Sequence, residues 1–169
     1  WFTITSLILL SGCVEKTTLT SYKSLKTSST NDIEIINENY SMVWDNAKHT
    51  IILKDVVTGE IWSTVPKTAL YNNVIETGKK NSPRVESALF VTYYDTEKFV
   101  QSTLLSTTDA VKSGNVFAKK LNKDSISVMY DFAKAEISVV VDYKLNSDGM
   151  QITVNPNKIT EGEKKLVTN

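Results

Sequence analysis

Apolar and polar residues alternate with a period of two over much of the chain after Ile33, a pattern that is typical of half-buried β-strands. In the run AEISVVVDYKL, the apolar positions of this pattern are Ile137, Val139, Val141, Tyr143 and Leu145. The run SISVMYDF repeats the pattern at Ile126, Val128, Tyr130 and Phe132, and GMQITVNP repeats it at Met150, Ile152 and Val154. We expect these residues to form one buried face, with Ser138, Asp142 and Lys144 on a more exposed face.

Turn signals separate the predicted strands and favour antiparallel hairpins. The sequence NSDG (Asn146–Gly149) is a strong turn signal between two of them. Gly59 supplies the positive φ that a tight turn needs, so Thr50–Asp55 and Glu60–Thr64 are predicted to form a hairpin. The other predicted hairpin loops are Asn122–Ser125 and Asp95–Lys98. No stretch has a sustained helical period with caps, and the sequence therefore predicts an all-β, antiparallel β-sandwich.

One predicted strand has apolar residues on both of its faces. In VESALFVTYYD, Leu89, Val91 and Tyr93 share one face, and Ala88, Phe90 and Tyr94 share the other. Such a strand is usually covered on both sides, so we expect it near the centre of its sheet. The segment before it, Lys67–Arg84, is polar and irregular, and we expect a long loop of the kind that is often functional.

The N-terminal segment Trp1–Leu10 is uncharged and mostly apolar. It is too short to cross a bilayer as a helix, which needs about 20 residues, but it matches the apolar part of a secretory signal. The sequence Leu10-Ser11-Gly12-Cys13 resembles the bacterial lipobox, in which the cysteine sulfur receives a diacylglyceryl group and cleavage makes the cysteine the new N-terminus. We predict cleavage between Gly12 and Cys13 and lipidation of Cys13. The alternative is a buried strand that ends in a cysteine.

The segment Val14–Asn31 is half Ser and Thr, which indicates a solvated tether. About 18 flexible residues reach on the order of 25 Å; a Thr-rich edge strand at Leu19–Leu25 is the alternative. The predicted organisation is a signal peptide at 1–12 that is clipped at its start, a lipidated cysteine and tether at 13–32, and a β-sandwich at 33–169 that is truncated at its C-terminal end. The expected location is the bacterial cell surface, with membrane lipid as partner through Cys13.

Charge and composition exclude several classes of function. The 169 residues include 19 Lys plus Arg and 19 Asp plus Glu, so the basic excess of a nucleic-acid-binding protein is absent. One cysteine and one histidine leave no disulfide and no zinc-type cluster. We expect no metal and no cofactor. The apolar fraction of 41% and the charged fraction of 22% are ordinary for a globular domain.

Candidate catalytic groups are weak in this sequence. The acidic residues alternate with apolar residues or lie in turns, which indicates a solvated face rather than a glycosidase pair; the main ones are Glu86, Asp95, Glu97, Asp109, Glu136 and Asp142. His49 is expected to be an exposed edge residue. We therefore assign no catalytic residue. Trp44, Trp62 and Tyr71 are candidates for stacking on sugar rings, although core packing is the stronger expectation for Trp62.

The order and spacing of three segments resemble a family of large bacterial surface lipoproteins. The segments are Asn39–Pro66, with its D-x-x-T-G-x-x-W pattern, Ala88–Val111 and Val139–Val154. The resemblance implies a mutarotase-like β-sandwich, a supersandwich that is incomplete here, followed by a barrel like those of glycoside hydrolases. This chain ends before any barrel, so the catalytic carboxylates that the resemblance implies are not in it.

Two functions are compatible with these observations. In the first, the chain is the non-catalytic N-terminal sandwich of a lipid-anchored surface protein that binds or acts on carbohydrate, with the missing C-terminal barrel as its neighbour. In the second, it is a free-standing surface domain for binding or adhesion. A long open reading frame downstream of Asn169 would favour the first, and a stop codon would favour the second.

Overall fold

The computed structural model describes residues 31–65, 87–101, 105–113 and 115–168. Within these ranges the chain is built mainly of antiparallel strands in open sheets, as the alternating pattern predicts. Two four-stranded sheets contribute most of the buried residues, and two smaller strand groups accompany them.

The first sheet has the order β1-β2-β3-β4 and consists of consecutive hairpins. Its strands are β1 (Ile33–Ile36), β2 (Tyr40–Asp45), β3 (Thr50–Asp55) and β4 (Ile61–Ser63). Cross-strand partners share a face, so the register aligns one inward row across the whole sheet: Ile35, Met42, Leu53 and Trp62. The predicted hairpin between Thr50–Asp55 and Glu60–Thr64 is confirmed, with Gly59 at φ 75°.

The second sheet has the order β12-β11-β10-β9, again with neighbours antiparallel. Its strands are β9 (Val116–Lys120), β10 (Ser125–Phe132), β11 (Ile137–Asn146) and β12 (Gly149–Thr160). The loops predicted at Asn122–Ser125 and Asn146–Gly149 connect these strands as expected. A short 3-10 helix, Ala133–Ala135, joins β10 to β11.

Smaller elements complete the described fold. They are β5 (Phe90–Val91), β6 (Tyr93–Asp95), β7 (Val100–Gln101), β8 (Leu105–Ser106), α1 (Thr107–Lys112) and β13 (Lys165–Val167). Strand β6 lies between β13 and β7, and β5 pairs with β8. The hairpin loop predicted at Asp95–Lys98 connects β6 to β7.

One hydrophobic cluster joins the inward faces of the two main sheets, which gives the sandwich arrangement. Its largest fully buried members include Trp44 from the first sheet and Tyr130 from the second. The predicted inward residues of β10 and β11 are buried as expected. The opposite face of this sheet also has a buried pair, Met129 and Val140, against which Phe117 packs. The central strands β10 and β11 are therefore covered on both faces at this point.

Three of the described hairpin loops share one backbone design. Each begins with an aspartate whose Oδ1 atom accepts hydrogen bonds from the backbone N–H groups two and three residues later, at Asp45, Asp55 and Asp95. The fourth residue after each aspartate has a positive φ: His49 at 51°, Gly59 at 75° and Phe99 at 51°. Only Gly59 adopts this conformation without strain, which for the other residue types costs on the order of 1 kcal/mol.

Several local expectations were wrong. The run VESALFVTYYD is not one central strand, because it divides into β5 and β6 at Thr92, and Phe90 is 38% exposed. Helix α1 was not predicted, since its six residues are too few to show a period, yet Ser106 and Asp109 form a capping box at its start. Ile152 and Val154 are 54% and 42% exposed, because β12 is an edge strand. In that strand only Met150 and Ile159 pack against the core.

Candidate functional site

A groove of about 820 Å³ lies where β10 ends and β11 begins. Small-molecule sites are commonly about 300–1,000 Å³. Its lining comes from the β10–β11 connection, the end of β12, the segment 161–165 and the β6–β7 hairpin.

The backbone of the β10–β11 connection presents Glu136 to the groove. After the 3-10 helix, Glu136 adopts φ 55° and ψ 30°, and its N–H donates a hydrogen bond to the carbonyl of Ala133. Across the groove, Gly162 leaves room for this side chain, since a Cβ atom on Gly162 would lie 2.5 Å from Glu136 Oε2 and 2.8 Å from Glu136 Cβ. Glycine is therefore the residue that allows Glu136 and the 161–165 segment to approach so closely.

The β6–β7 hairpin forms one rim of the groove and is fixed to the 161–165 segment. The N–H of Thr96 donates to the carbonyl oxygen of Lys164 over 2.9 Å. The Lys164 ammonium group forms an ion pair with Glu97. The hydrogen bond that the Lys164 ammonium group donates to Glu97, together with the charge of Glu97, raises the pKa of Lys164, with smaller contributions from the charges of Glu136 and Asp95.

The lining combines hydrogen-bond acceptors and donors. Its acidic side chains are Glu97, Asp131, Glu136, Glu161 and Glu163, and its basic side chains are Lys164 and Lys165. The hydroxyl groups of Ser138 and Thr160 hydrogen-bond to each other, and Met129 adds an apolar contact. Carboxylates accept hydrogen bonds, ammonium groups donate them and hydroxyl groups do both. Such a lining suits a ligand with many hydroxyl groups.

A second polar network lies on the same outer face of the sheet. Asp142 accepts a hydrogen bond from the Ser127 hydroxyl and forms an ion pair with Lys158. Ser127 is only 2% exposed, so this carboxylate satisfies a buried hydroxyl. The network accounts for Asp142 as a structural residue.

The other candidate carboxylates have local structural roles in the described chain. Asp95 is 8% exposed and caps the β6–β7 loop, and Asp109 accepts a hydrogen bond from the Ser106 N–H at the start of α1. Glu97 and Glu136 are the two that reach the groove, whereas Glu86 lies outside the described residues. Within the described ranges, no group of three or more His, Cys, Asp or Glu side chains is arranged to hold a metal ion.

Trp44 does not form a sugar-stacking surface. Its side chain is 1% exposed within the sandwich core, and its indole N–H donates to Asn46 Oδ1 over 3.4 Å. The ring of His49 packs edge-on against it at a centroid distance of 6.1 Å. His49 is therefore a half-buried loop residue that contacts the core, and the expectation of an exposed edge residue was wrong. Burial lowers its pKa, and the charge of Asp45 opposes this effect only in part.

The expectation of core packing for Trp62 was also wrong. Trp62 continues the inward row of the first sheet beyond Leu53, but β4 is the edge strand, and the indole is 46% exposed. It borders a shallow recess with Gly59, Glu60 and Ile61. Of the predicted stacking residues, Trp62 is thus the one with accessible ring surface in the described chain. Cys13, Gly12 and Tyr71 lie outside the described residues.

The groove could not be recognised from the sequence. Its residues come from segments that are far apart in the chain, and the acidic ones look like ordinary solvent-facing residues when they are read singly. One local signal was present, since Glu161-Gly162-Glu163-Lys164-Lys165 is a charged run around a glycine directly after a strand.

Comparison with known proteins does not assign this chain to a family. No protein-family model matches this chain, and the curated proteins contain no significant match. In the described residues, no helix is long and apolar enough to cross a bilayer.

Proposed function

We propose that this chain is the non-catalytic N-terminal β-sandwich of a lipid-anchored protein of the bacterial cell surface, and that the protein binds or acts on carbohydrate. The observation that carries the proposal is the sequence Leu10-Ser11-Gly12-Cys13 after an uncharged apolar segment. Small residues before the cysteine give a protease access to the backbone, and the thiol is the group that can be alkylated to a thioether. Cys13 is the attachment point of the anchor.

Two further features support the anchored arrangement. The Ser- and Thr-rich segment Val14–Asn31 separates the cysteine from the first strand, and β1 begins at Ile33, close to the expected end of that tether. Two acyl chains give stable membrane attachment, whereas a single chain gives only marginal binding. The tether lets the sandwich reach ligands beyond the lipid headgroups.

The groove beside Glu136 supports a carbohydrate ligand. It mixes carboxylate acceptors with ammonium donors and hydroxyl groups, and a saccharide presents donors and acceptors around each ring. The resemblance to surface lipoproteins with a mutarotase-like sandwich points to the same ligand class. In this proposal the chain holds the saccharide, and any cleavage belongs to a barrel domain that follows it.

Fractionation of a bacterial host that expresses the protein tests the anchor. The unchanged protein should be found in the membrane fraction, and Cys13→Ser should be released or remain unprocessed. Ser11→Ala is the matched control, because it keeps a small residue before the cleavage site and should still be processed. If Cys13→Ser fractionates and migrates like the unchanged protein, the anchor is refuted.

Affinity electrophoresis through gels that contain xylan, dextran, β-glucan or galactomannan tests the carbohydrate ligand. The protein should be retarded by at least one polymer, and Glu136→Gln should reduce the retardation because it removes a charged acceptor from the groove. Glu38→Gln, in the β1–β2 turn, is the control and should migrate like the unchanged protein. Equal mobility in every gel and in its polymer-free reference would refute carbohydrate binding.

A further inference from the structure

We propose that Phe99 is the aromatic residue that stacks on a saccharide held in the groove beside Glu136, an inference that rests on the proposed function. Phe99 lies in the β6–β7 loop, which forms the rim of that groove through Glu97. No sequence pattern pointed to this role, because a single phenylalanine after a Thr-Glu-Lys turn looks like part of a strand.

The conformation of Phe99 is costly. Its φ of 51° lies in the left-handed region, where a bulky side chain is an outlier. In the matching loop after β3 the equivalent position is Gly59, which adopts a positive φ without strain. A glycine would therefore suit the backbone at position 99 better than phenylalanine does.

Packing does not compensate for this strain. Phe99 is 81% exposed. The equivalent residue after β2 is His49, which is strained in the same way but packs edge-on against the buried Trp44. An exposed aromatic ring in a strained conformation contributes little to folding, and such sites cluster where proteins contact ligands.

The loop that presents Phe99 is held firmly at the groove. Asp95 caps the loop by accepting hydrogen bonds from the N–H groups of Glu97 and Lys98. On the other side, Thr96 bonds to the carbonyl of Lys164 through both its N–H and its hydroxyl, and Glu97 pairs with the Lys164 ammonium group. The ring is thus presented by a loop with fixed geometry, which reduces the entropy lost on binding.

A saccharide fits this arrangement better than a lipid surface does. Sugar rings have apolar C–H faces, which pack on aromatic rings, and hydroxyl rims, which hydrogen-bond to carboxylates, hydroxyl groups and ammonium groups. The groove has five acidic side chains and two lysines. This negative excess would be repelled by anionic headgroups, so a loop that borders the groove is poorly suited to binding an anionic membrane.

The test compares Phe99→Gly, Phe99→Tyr and His49→Gly in the full chain, using the polysaccharide that retards the unchanged protein. Phe99→Gly should bind about tenfold more weakly, the loss expected for one stacked ring. Its melting temperature should be equal or higher, because glycine relieves the strained φ. Phe99→Tyr should retain most of the affinity. His49→Gly, the matched control in the equivalent loop, should leave the affinity unchanged.

Any of the following outcomes would overturn the inference. Affinity of Phe99→Gly equal to that of the unchanged protein would show that the ring makes no contact with the ligand. A lower melting temperature in that variant would assign the ring to folding. Binding to phosphatidylglycerol vesicles that Phe99→Gly abolishes would assign it to a membrane. If Glu136→Gln weakens binding and Phe99→Gly does not, only the stacking role of Phe99 is refuted. If the unchanged protein binds no polysaccharide, both the stacking role and the carbohydrate proposal are refuted.

Discussion

Two tyrosine hydroxyl groups meet inside the otherwise apolar core, and they show how single residues keep polar atoms satisfied there. Tyr130 and Tyr143 are 1% and 2% exposed, and their side chains are hydrogen-bonded to each other. Burial, followed by the contact with Tyr143, raises the pKa of Tyr130. Both tyrosines therefore stay neutral across the physiological pH range, and each hydroxyl supplies the other with a partner.

Removing one of the two hydroxyl groups should lower the free energy of unfolding by more than half of what removing both costs. We expect Tyr130→Phe to lower the free energy of unfolding by about 1–2 kcal/mol, because the Tyr143 hydroxyl is left buried without this partner. Tyr130→Phe with Tyr143→Phe should cost less than the sum of the two single changes. Urea denaturation of the three variants measures this coupling, and strictly additive losses would contradict the hydrogen bond.

Whether the burial of a residue was predicted correctly depends on where that residue lies in its sheet. Alternation correctly predicted the inward residues of β10 and β11, because both strands are central and one register satisfies all of them. It failed at Trp62 and Ile152, which lie on edge strands. A sequence pattern shows which face a side chain is on, but it does not show where the opposing sheet ends.

At the scale of elements, the shared loop design explains why the β2–β3, β3–β4 and β6–β7 hairpins form where they do. Each aspartate occupies two backbone N–H groups that the strand ladder leaves without partners. The pKa of Asp55 is lowered mainly by the hydrogen bond from the Thr58 N–H, and burial opposes this only in part. The pKa of Asp45 is lowered as well. Burial raises it, but the hydrogen bonds to Asp45 and the charge of Lys48 together outweigh that effect.

Replacing one of these aspartates should destabilise its hairpin. We expect Asp45→Ala and Asp95→Ala to lower the free energy of unfolding by about 1 kcal/mol each, since two backbone groups lose their acceptor. Asp148→Ala, in the exposed β11–β12 turn, is the control and should change it by less than about 0.5 kcal/mol. Thermal melts compare the variants, and losses no larger than that of the control would contradict a capping role.

The β2–β3 loop should also make stability depend on pH. Because burial lowers the pKa of His49 in the folded state, protonation favours the unfolded state. The stability that depends on a neutral His49 is therefore fully present above the ordinary histidine pKa of about 6.5, and it is lost as the pH falls below that value. His49→Gln should therefore flatten the fall in stability between about pH 7 and pH 5. Denaturation midpoints across this range test it, and parallel curves for the two proteins would contradict it.

Elements were predictable where turn chemistry was local, as in the hairpins at Gly59 and Asn146–Gly149. Helix α1 was not, since its six residues are too few to show a period. The division of β5 from β6 was not, since it depends on contacts with distant strands. Strand β6, for example, pairs with β13, whose register joins Leu166 to Tyr94.

At the scale of the whole molecule, the two main sheets share one core, and the groove arises where the second sheet meets the β6–β7 hairpin and the segment before β13. The class of the fold followed from the strand pattern alone. The groove did not, because Glu136 and Glu97 are brought together only by the tertiary fold. In the proposed function, the same molecule combines this groove with a lipid anchor that precedes the sandwich.

Mass spectrometry of the N-terminal peptide, from protein recovered in the membrane fraction of a bacterial host, tests the proposed anchored function most directly. The account predicts a peptide that begins at Cys13, lacks Trp1–Gly12 and carries the mass of a diacylglyceryl group on the sulfur. A continuous peptide that spans Leu10 to Glu15 with an unmodified Cys13 would contradict it.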